Sequence, residues 1–168
     1  MHFIIMGCGR VGAAAAGALH ARGHSVAVID QNPEAFRRLP SSFEGQQVTG
    51  LGFDREVLVE ADVASAYGFA AVSSGDNSNI LAARVVRETF GVSNVVARIY
   101  DPARAELYQR LGVSTVATVP WAADQVLRAI LPADSTRVYS EASGKITLAR
   151  FDPHPEWVGV ALTEMEAA

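Results

Sequence analysis

The feature that most constrains the fold is a glycine loop close to the N-terminus. An apolar run, His2 to Met6, leads directly into the motif Gly-Cys-Gly-Arg-Val-Gly at residues 7–12, and an alanine-rich helical pattern follows at once. Glycines at the first, third and sixth positions permit a tight strand-to-helix turn, close approach of a phosphate, and close packing of helix on strand. The N-terminus of such a helix directs free N–H groups at an anion. The loop therefore predicts a β-α unit that binds phosphate.

The rest of the chain alternates between apolar runs and helical patterns. The predicted strands are His2 to Met6, Ser25 to Ile29, Gln46 to Thr49, Phe69 to Ser73, Asn94 to Ile99 and Thr115 to Thr118. The predicted helices are Val11 to Ala21, Pro33 to Leu39, Asp54 to Glu60, Asn77 to Phe90, Pro102 to Leu111 and Pro120 to Leu131. Continuous apolar strands that alternate with helices indicate a parallel sheet with both faces covered. The predicted fold class is α/β, a Rossmann-like doubly wound parallel six-stranded sheet.

Polar and glycine residues mark the ends of these helices. Asp76 and Asp101 are predicted to cap helix N-termini, and Pro102 suits a first helical turn. Gly91 and Gly112 can take the left-handed conformation that ends a helix. The spacing of these signals agrees with the strand-and-helix alternation.

The alternation stops after Leu131. Short strands are predicted at Val138 to Ser140 and Lys145 to Phe151, and Pro153, Pro155 and Trp157 follow. A segment of about thirty residues cannot form an independent core. The predicted division is a nucleotide-binding domain at residues 1–134 and a short C-terminal β-containing extension at residues 135–168.

The position of Asp30 supports a nucleotide as the ligand. Asp30 ends the second predicted strand, eighteen residues past Gly12, where a carboxylate can accept two hydrogen bonds from a ribose diol. Its neighbours Gln31 and Asn32 are uncharged, so no cation stands next to it for a 2'-phosphate. These residues favour NAD(H) or a simple adenine nucleotide over NADP(H).

Three neighbouring features have two readings each. Arg10 either contacts phosphates or forms an ion pair. Cys8 is better explained as a small residue that fills a crowded loop than as a redox sensor. The stretch from Ser73 to Asn79 follows the fourth strand at the topological switch point, where it either contacts ribose and phosphate or forms a polar loop with a helix cap.

Composition and charge exclude several other functions. The net charge is -4 without a cluster of lysine and arginine, which argues against nucleic acid as a partner. A single cysteine and a short, interrupted N-terminal apolar run fit a cytoplasmic protein without a leader or span. Lys145 is the only lysine, and no catalytic group or array of metal-binding histidines is recognisable. The sequence thus predicts a protein that is not an enzyme.

Further motifs give the chain a family resemblance. The glycine loop, Ile29-Asp30, the stretch Ser73 to Arg84, Val96 to Ile99, and Leu111-Gly112-Val113 followed by Pro120 resemble the nucleotide-binding regulatory subunits of Trk/Ktr-type potassium uptake systems. These are called TrkA N-terminal or RCK domains. The likeness covers about residues 1–131, and the tail resembles the opening of the C-terminal domain of that family.

The resemblance implies a partner, a location and an assembly. The partner is a membrane-embedded potassium channel or transporter subunit, which places the chain in the cytoplasm at the inner face of the cell membrane. The assembly is a homo-oligomer, either a dimer or an octameric ring, in which the helix Pro120 to Leu131 crosses to the neighbouring copy. The resemblance also implies that Arg10 faces phosphates, Asp30 the ribose, and Arg98 the ligand or the dimer cleft.

One position departs from the family pattern. The family usually has Gly-Asp after the third strand, whereas this chain has Gly50-Leu51. Leu51 can lie against an adenine face, although the choice of ligand can differ as a result. The candidate ligand is NAD or NADH, or alternatively ATP, ADP or AMP, and no metal site is predicted. The candidate binding residues are Gly7, Cys8, Gly9, Arg10, Val11, Gly12, Asp30, Gln31, Leu51, Gly52, Ser73, Ser74, Gly75, Asn79 and Arg98.

Three functions remain open from the sequence. The leading one is a regulatory subunit that gates potassium uptake in response to bound NAD(H) or an adenine nucleotide. The second is an NAD-dependent oxidoreductase whose substrate domain is missing or supplied by a partner. The third is a redox sensor that reports the NADH/NAD ratio to an unrelated partner.

Overall fold

The computed structural model describes residues 1–110, 112–130, 136–140, 147–150 and 157–159. The chain divides into two compact units, Met1–Ala122 and Ala123–Ala168. The strands of the first unit are β1 His2–Met6, β2 Ser25–Asp30, β3 Gln46–Thr49, β4 Ala66–Ala71, β5 Asn94–Ile99 and β6 Ser114–Ala117. The α-helices are α1 Arg10–His20, α2 Arg55–Glu60, α3 Asp76–Phe90, α4 Pro102–Arg110 and α5 Thr118–Ile130, and 3₁₀ helices span Pro33–Arg38 and Val63–Ser65.

The six strands of the first unit form one sheet in the order β3-β2-β1-β4-β5-β6. Every neighbouring pair is parallel. The chain runs outward from β1 to β3 and then returns to place β4 on the other side of β1. The predicted doubly wound, six-stranded parallel sheet is therefore confirmed, and its topological switch point lies between β1 and β4.

The core occupies both faces of this sheet. On β1, Ile4 and Met6 pack into the cluster on one face, together with buried residues of α3. Ile5 faces the opposite way and packs with Ala13 and Ala16 of α1. Successive residues of a strand point to opposite faces, so a strand covered on both sides is apolar throughout. This explains why the strands read as continuous apolar runs in the sequence.

Two elements differ from their predicted form. The fourth strand is Ala66–Ala71 rather than Phe69 to Ser73. It ends early because the backbone N–H and the hydroxyl of Ser73 both donate to the side chain of Asn79 instead of to a neighbouring strand. The segment Pro33–Arg38 is a 3₁₀ helix rather than a longer α-helix, and the Asn32 side chain caps it by accepting a hydrogen bond from Glu34 N at 3.0 Å.

The predicted cap at Asp76 is wrong, whereas the one at Asp101 is confirmed. Gly75 occupies the N-cap position of α3, and Asp76 is the first residue of that helix. The Asp76 carboxylate accepts hydrogen bonds from Tyr100 N at 2.9 Å and Asp101 N at 3.2 Å. Asp101 accepts from Ala103 N at 2.9 Å at the start of α4. Asp76 thus ties the start of α3 to the end of β5, a long-range contact that no local pattern reveals.

The second unit contains an antiparallel pair of strands, β7 Thr136–Ser140 and β8 Thr147–Arg150. The boundary between the units lies within α5, whereas the sequence places it after residue 134, and that domain division stays a prediction. In the part of the chain that the structure describes, no helix has the length and apolar character needed to cross a membrane. The predictions that fall outside the described residues concern Leu111, Leu131, Lys145, Phe151, Pro153 and Pro155.

Candidate functional site

A cavity of about 810 Å³ opens at the carboxyl ends of β1, β2 and β4, which is the topological switch point. We call it the switch-point cavity. Its volume lies within the range of sites that bind cofactors, and its place is where open α/β sheets bind ligands. The predicted site residues that line it are Gly7, Cys8, Gly9, Arg10, Val11, Asp30, Gln31, Gly52, Ser73, Ser74, Gly75 and Arg98.

The glycine loop forms the floor of the switch-point cavity. Gly7 N donates to Ile29 O at 2.7 Å, and the positive φ of Gly7 turns the chain out of β1 toward α1. A Cβ on Gly7 would lie 2.7 Å from Ser73 N. A Cβ on Gly9 would meet no atom within 4 Å, so the loop presents its backbone to open space there. The free N–H groups at the start of α1 therefore remain accessible to an anion.

The Asp30 carboxylate holds this loop in place. Its Oδ2 accepts a hydrogen bond from Cys8 N at 2.6 Å, and its Oδ1 accepts one from Asn32 N at 2.9 Å. A carboxylate has about four lone-pair positions, so both oxygens can accept further bonds from a ribose diol. Asp30 can thus position the glycine loop and bind a sugar at the same time.

Asn79 supports two lining residues of the cavity, Ser73 and Arg98. It is fully buried, and its Nδ2 donates to Ser73 O at 3.0 Å and Arg98 O at 2.8 Å. Its Oδ1 accepts from Ser73 N at 2.9 Å. All of these bonds join the ends of β4 and β5, and Asn79 does not line the cavity. Asn79 thus positions the segments that follow β4 and β5, and its contact with a ligand stays a prediction.

Two other predicted residues also lie outside the cavity lining. A Cβ on Gly12 would come within 1.8 Å of Gly7 O, so this glycine serves the packing of α1 against the loop. The Leu51 side chain is 39% exposed and does not line the cavity, although Gly50 and Gly52 on either side do. The contact of Leu51 with adenine therefore stays a prediction.

Arg98 stands at the β5 side of the switch-point cavity, against Tyr100. Its Nη2 donates to Ser73 O at 2.9 Å and to the Tyr100 hydroxyl, and its Cζ lies 4.5 Å from the centre of the Tyr100 ring. Its buried Nε has no hydrogen-bond partner within the described ranges. A planar, stacked guanidinium is well placed to bind phosphate or carboxylate oxygens.

The charges of the lining favour an anionic ligand. Arg10, Arg38 and Arg98 line the switch-point cavity together with one carboxylate, that of Asp30. Arg10 is exposed at the start of α1 and forms no ion pair in the described part of the chain. Three guanidinium groups against one carboxylate leave an excess of two positive charges, which suits a polyphosphate.

Several lining residues were missed from the sequence. Asn32, Ala35 and Arg38 line the cavity together because side chains three residues apart lie on one face of a 3₁₀ helix. Ser78 and Tyr100 also line the cavity. They belong to α3 and to the turn after β5, and only the folded topology brings them to the switch point.

Cys8 is buried within the glycine loop, in surroundings that favour the protonated form of its thiol. Burial raises the pKa of the thiol, the Asp30 carboxylate adds to the rise, and Arg38 offsets part of it. A raised thiol pKa lowers the fraction of reactive thiolate. This favours the interpretation of Cys8 as a small packing residue over that of a redox sensor. No cluster of His, Cys, Asp and Glu that could hold a metal occurs within the described segments.

Comparison with protein families and curated proteins identifies relatives over most of the chain. The family model "TrkA-N domain" matches residues 3–119. The Trk system potassium uptake protein TrkA of Streptomyces coelicolor is 58% identical over 166 residues, which are 99% of this chain and 74% of that protein. A TrkA homolog of Pyrococcus abyssi is 33% identical over 111 residues, or 66% of this chain and 49% of that protein.

Solved structures share the fold at lower identity. The TrkA-N domain of the inner membrane protein YbaL from Escherichia coli has a TM-score of 0.68 at 18% identity, with 77% of this chain and 96% of that chain covered. The GsuK channel bound to NAD has a TM-score of 0.66 at 20% identity, over 82% and 25%. The AMP-bound Kef C-terminal domain of Shewanella denitrificans has a TM-score of 0.64 at 22% identity, over 77% and 80%. These likenesses concern the fold alone.

Proposed function

The chain belongs to the TrkA-N domain family, and from this premise we propose that it is a nucleotide-binding regulatory domain that gates a potassium channel or transporter. The observation that carries the proposal is the switch-point cavity, where an exposed glycine backbone, the carboxylate of Asp30 and the guanidinium groups of Arg10 and Arg98 converge. Each has a counterpart in an adenine nucleotide: pyrophosphate, ribose diol and the negative charge of phosphates. The relatives named for potassium uptake support the biological setting.

The proposed ligand is NAD or NADH, with ATP, ADP and AMP as alternatives. Asp30 fits the ribose diol that all of these share, and Arg10 and Arg98 lie where phosphates would follow along the cavity. The like-folded GsuK channel binds NAD, and the like-folded Kef domain binds AMP. The cavity is large enough for either class of ligand.

The proposed role is regulatory rather than catalytic. The lining offers cations, hydroxyl groups and backbone donors, but its thiol is buried and has a raised pKa. Proton transfer at a nicotinamide substrate needs a positioned acid or base. Here the Asp30 carboxylate accepts hydrogen bonds from Cys8 N and Asn32 N, and the Tyr100 hydroxyl accepts one from Arg98. Gating would then follow from a difference in ligand affinity between two conformations of an assembly.

The proposed partners are a second copy of the chain and a membrane-embedded potassium channel or transporter subunit, at the cytoplasmic face of the membrane. Helix α5 supports self-association, since it exposes the apolar side chains of Val119, Val126, Leu127 and Ile130, by 51% to 70%. Several large exposed apolar side chains on one helix favour a protein interface.

Replacement of Leu127 by Glu should convert an oligomer to monomers in light scattering, whereas Gln125→Glu on the same helix should leave it intact. An oligomer that withstands L127E would exclude α5 as the interface.

Calorimetric titration with NADH, NAD, ATP, ADP and AMP tests the ligand. The wild-type chain should bind at least one of them, and Gly9→Val should abolish binding, because the added side chain fills the space above the exposed backbone. The same variant should melt at nearly the wild-type temperature, since its Cβ meets no protein atom within 4 Å. Absence of binding by every nucleotide would refute the proposal, and turnover of NADH with a small substrate would favour an oxidoreductase.

A further inference from the structure

Arg38 is a cation of the switch-point cavity that stands on the ribose side. It is the last residue of the 3₁₀ helix Pro33–Arg38, eight positions after Asp30. Asn32, Ala35 and Arg38 recur at intervals of three and all line the cavity. Because a 3₁₀ helix has three residues per turn, this spacing directs the three side chains along one face. Arg38 therefore belongs to the same wall as Asp30 and Asn32.

The neighbouring arginine of the same helix shows a different arrangement. The Arg37 guanidinium forms an ion pair with Glu34 at 2.7 Å on the solvent side, and Arg37 does not line the cavity. Arg38 is exposed to the cavity and, among the residues described, has neither an ion pair nor a hydrogen bond. The chain thus contains one arginine with a carboxylate partner and, directly beside it, one that faces the cavity without a partner.

The charge of Arg38 acts close to the expected ribose site. Cys8 N donates to the Asp30 carboxylate, so this pair of residues marks where a ribose diol would bind. Burial, followed by Asp30, raises the pKa of the Cys8 thiol, and the charge of Arg38 offsets part of that rise. Arg38 is therefore near enough to Cys8 for its charge to act on the thiol, in agreement with its place in the lining.

We propose that Arg38 forms a phosphate subsite beside the adenosine ribose, which accepts the 2'-phosphate of NADP(H). The inference rests on the proposed function and extends its ligand class, since the uncharged Gln31 and Asn32 alone favour NAD(H). Arginine binds phosphate through paired N–H donors in a fixed plane, which suits a phosphate group attached to a sugar. NADPH is then a second ligand of the cavity and competes with NADH.

The Asp30 carboxylate does not prevent this. Its two oxygens already accept hydrogen bonds from Cys8 N and Asn32 N, and these donors stabilise its negative charge. The other charged residues of the lining are all arginines. A phosphate on the 2'-oxygen would therefore enter a region of net positive charge.

Parallel titrations of the wild-type chain, Arg38→Ala and Arg37→Ala with NADH and NADPH test the subsite. The wild type should bind NADPH with a Kd within about tenfold of that for NADH. R38A should weaken NADPH binding by about tenfold or more, which is the usual loss for a hydrogen bond to a charged group, and NADH binding by less than about threefold. R37A should leave both unchanged, because that side chain faces solvent.

The outcomes separate this inference from the proposed function. Binding of NADH without binding of NADPH would overturn the subsite and leave the proposed function intact. An equal loss of both ligands in R38A, or no loss of NADPH, would also overturn it, because Arg38 would then not recognise the 2'-phosphate. If neither ligand nor any adenine nucleotide bound to the wild type, the proposed function and the subsite would both be refuted.

Discussion

Within the glycine loop, two residues of the same type have opposite tolerances for a side chain. Gly12 lies against Gly7 O, and a Cβ there would come within 1.8 Å of that oxygen. We expect Gly12→Ala to lower the free energy of unfolding by about 2 kcal/mol or more, because the α1 backbone must shift. Gly9→Ala, with an extended backbone and open space around its Cβ, should raise the free energy of unfolding by up to about 1 kcal/mol, because alanine lowers the entropy of the unfolded chain. Urea denaturation measures both, and equal losses would contradict this assignment.

Cys8 makes stability depend on pH in the alkaline range. Burial and the Asp30 carboxylate raise the thiol pKa above its ordinary value of 9.0 in the folded state, so folding favours the protonated form. This stabilisation is fully present below the unfolded pKa and is lost as the pH rises through the folded pKa. Urea denaturation between about pH 8 and 10 should show a steeper decline for the wild type than for Cys8→Ala. Parallel declines would show that another group is responsible.

Sequence reasoning succeeded for single residues where the requirement is local or fixed by spacing. Asp30 follows from its distance to the glycine loop, and the cavity does bring the two together. Arg38 was missed because only the folded topology brings the helix Pro33–Arg38 to the switch-point cavity. The supporting role of Asn79 did not emerge from the sequence, since a polar residue after a strand looks the same whether it faces a ligand or supports two strands.

At the scale of elements, Asn79 joins the ends of β4 and β5 through α3. Its removal would take the acceptor from Ser73 N and one donor each from Ser73 O and Arg98 O. Because unpaired buried polar groups are costly, we expect Asn79→Ala to lower the free energy of unfolding by about 2–4 kcal/mol. The exposed Asn77 of the same helix is the control, and Asn77→Ala should cost less than about 1 kcal/mol. Chemical denaturation measures both, and a small effect of N79A would mean that water replaces the amide.

The order and type of the elements were predictable, whereas several ends were not. Apolar runs and helical patterns give the strand sequence, and parallel pairing follows from their alternation. The end of β4 depends on the bonds of Ser73 to Asn79, and the start of α3 depends on Asp76 reaching β5. Both involve side chains that bind distant backbone, and such contacts leave no periodic trace in the sequence.

At the scale of the whole molecule, the charge of the cavity opposes that of the chain. The chain carries a net charge of -4, yet the cavity lining has three arginines and one aspartate. Binding of ATP should therefore weaken by about fivefold or more between about 0.05 M and 0.5 M salt, as screening reduces this local attraction. Uncharged adenosine is the matched control and should bind independently of salt. A salt-independent Kd for ATP would show that these arginines contribute little to affinity.

The hydrogen bonds of Asp30 also bear on how quickly the molecule could respond. The hydrogen bond from Cys8 N to the Asp30 carboxylate holds the glycine loop, so the backbone proposed to bind phosphate already has its shape. A ligand that enters such a preorganised site does not need to fold the loop and loses little affinity to ordering it. Association would then be limited by diffusion and orientation, and the lifetime of the complex would be limited by dissociation. Such a domain follows a falling nucleotide concentration as fast as the bound molecule can leave.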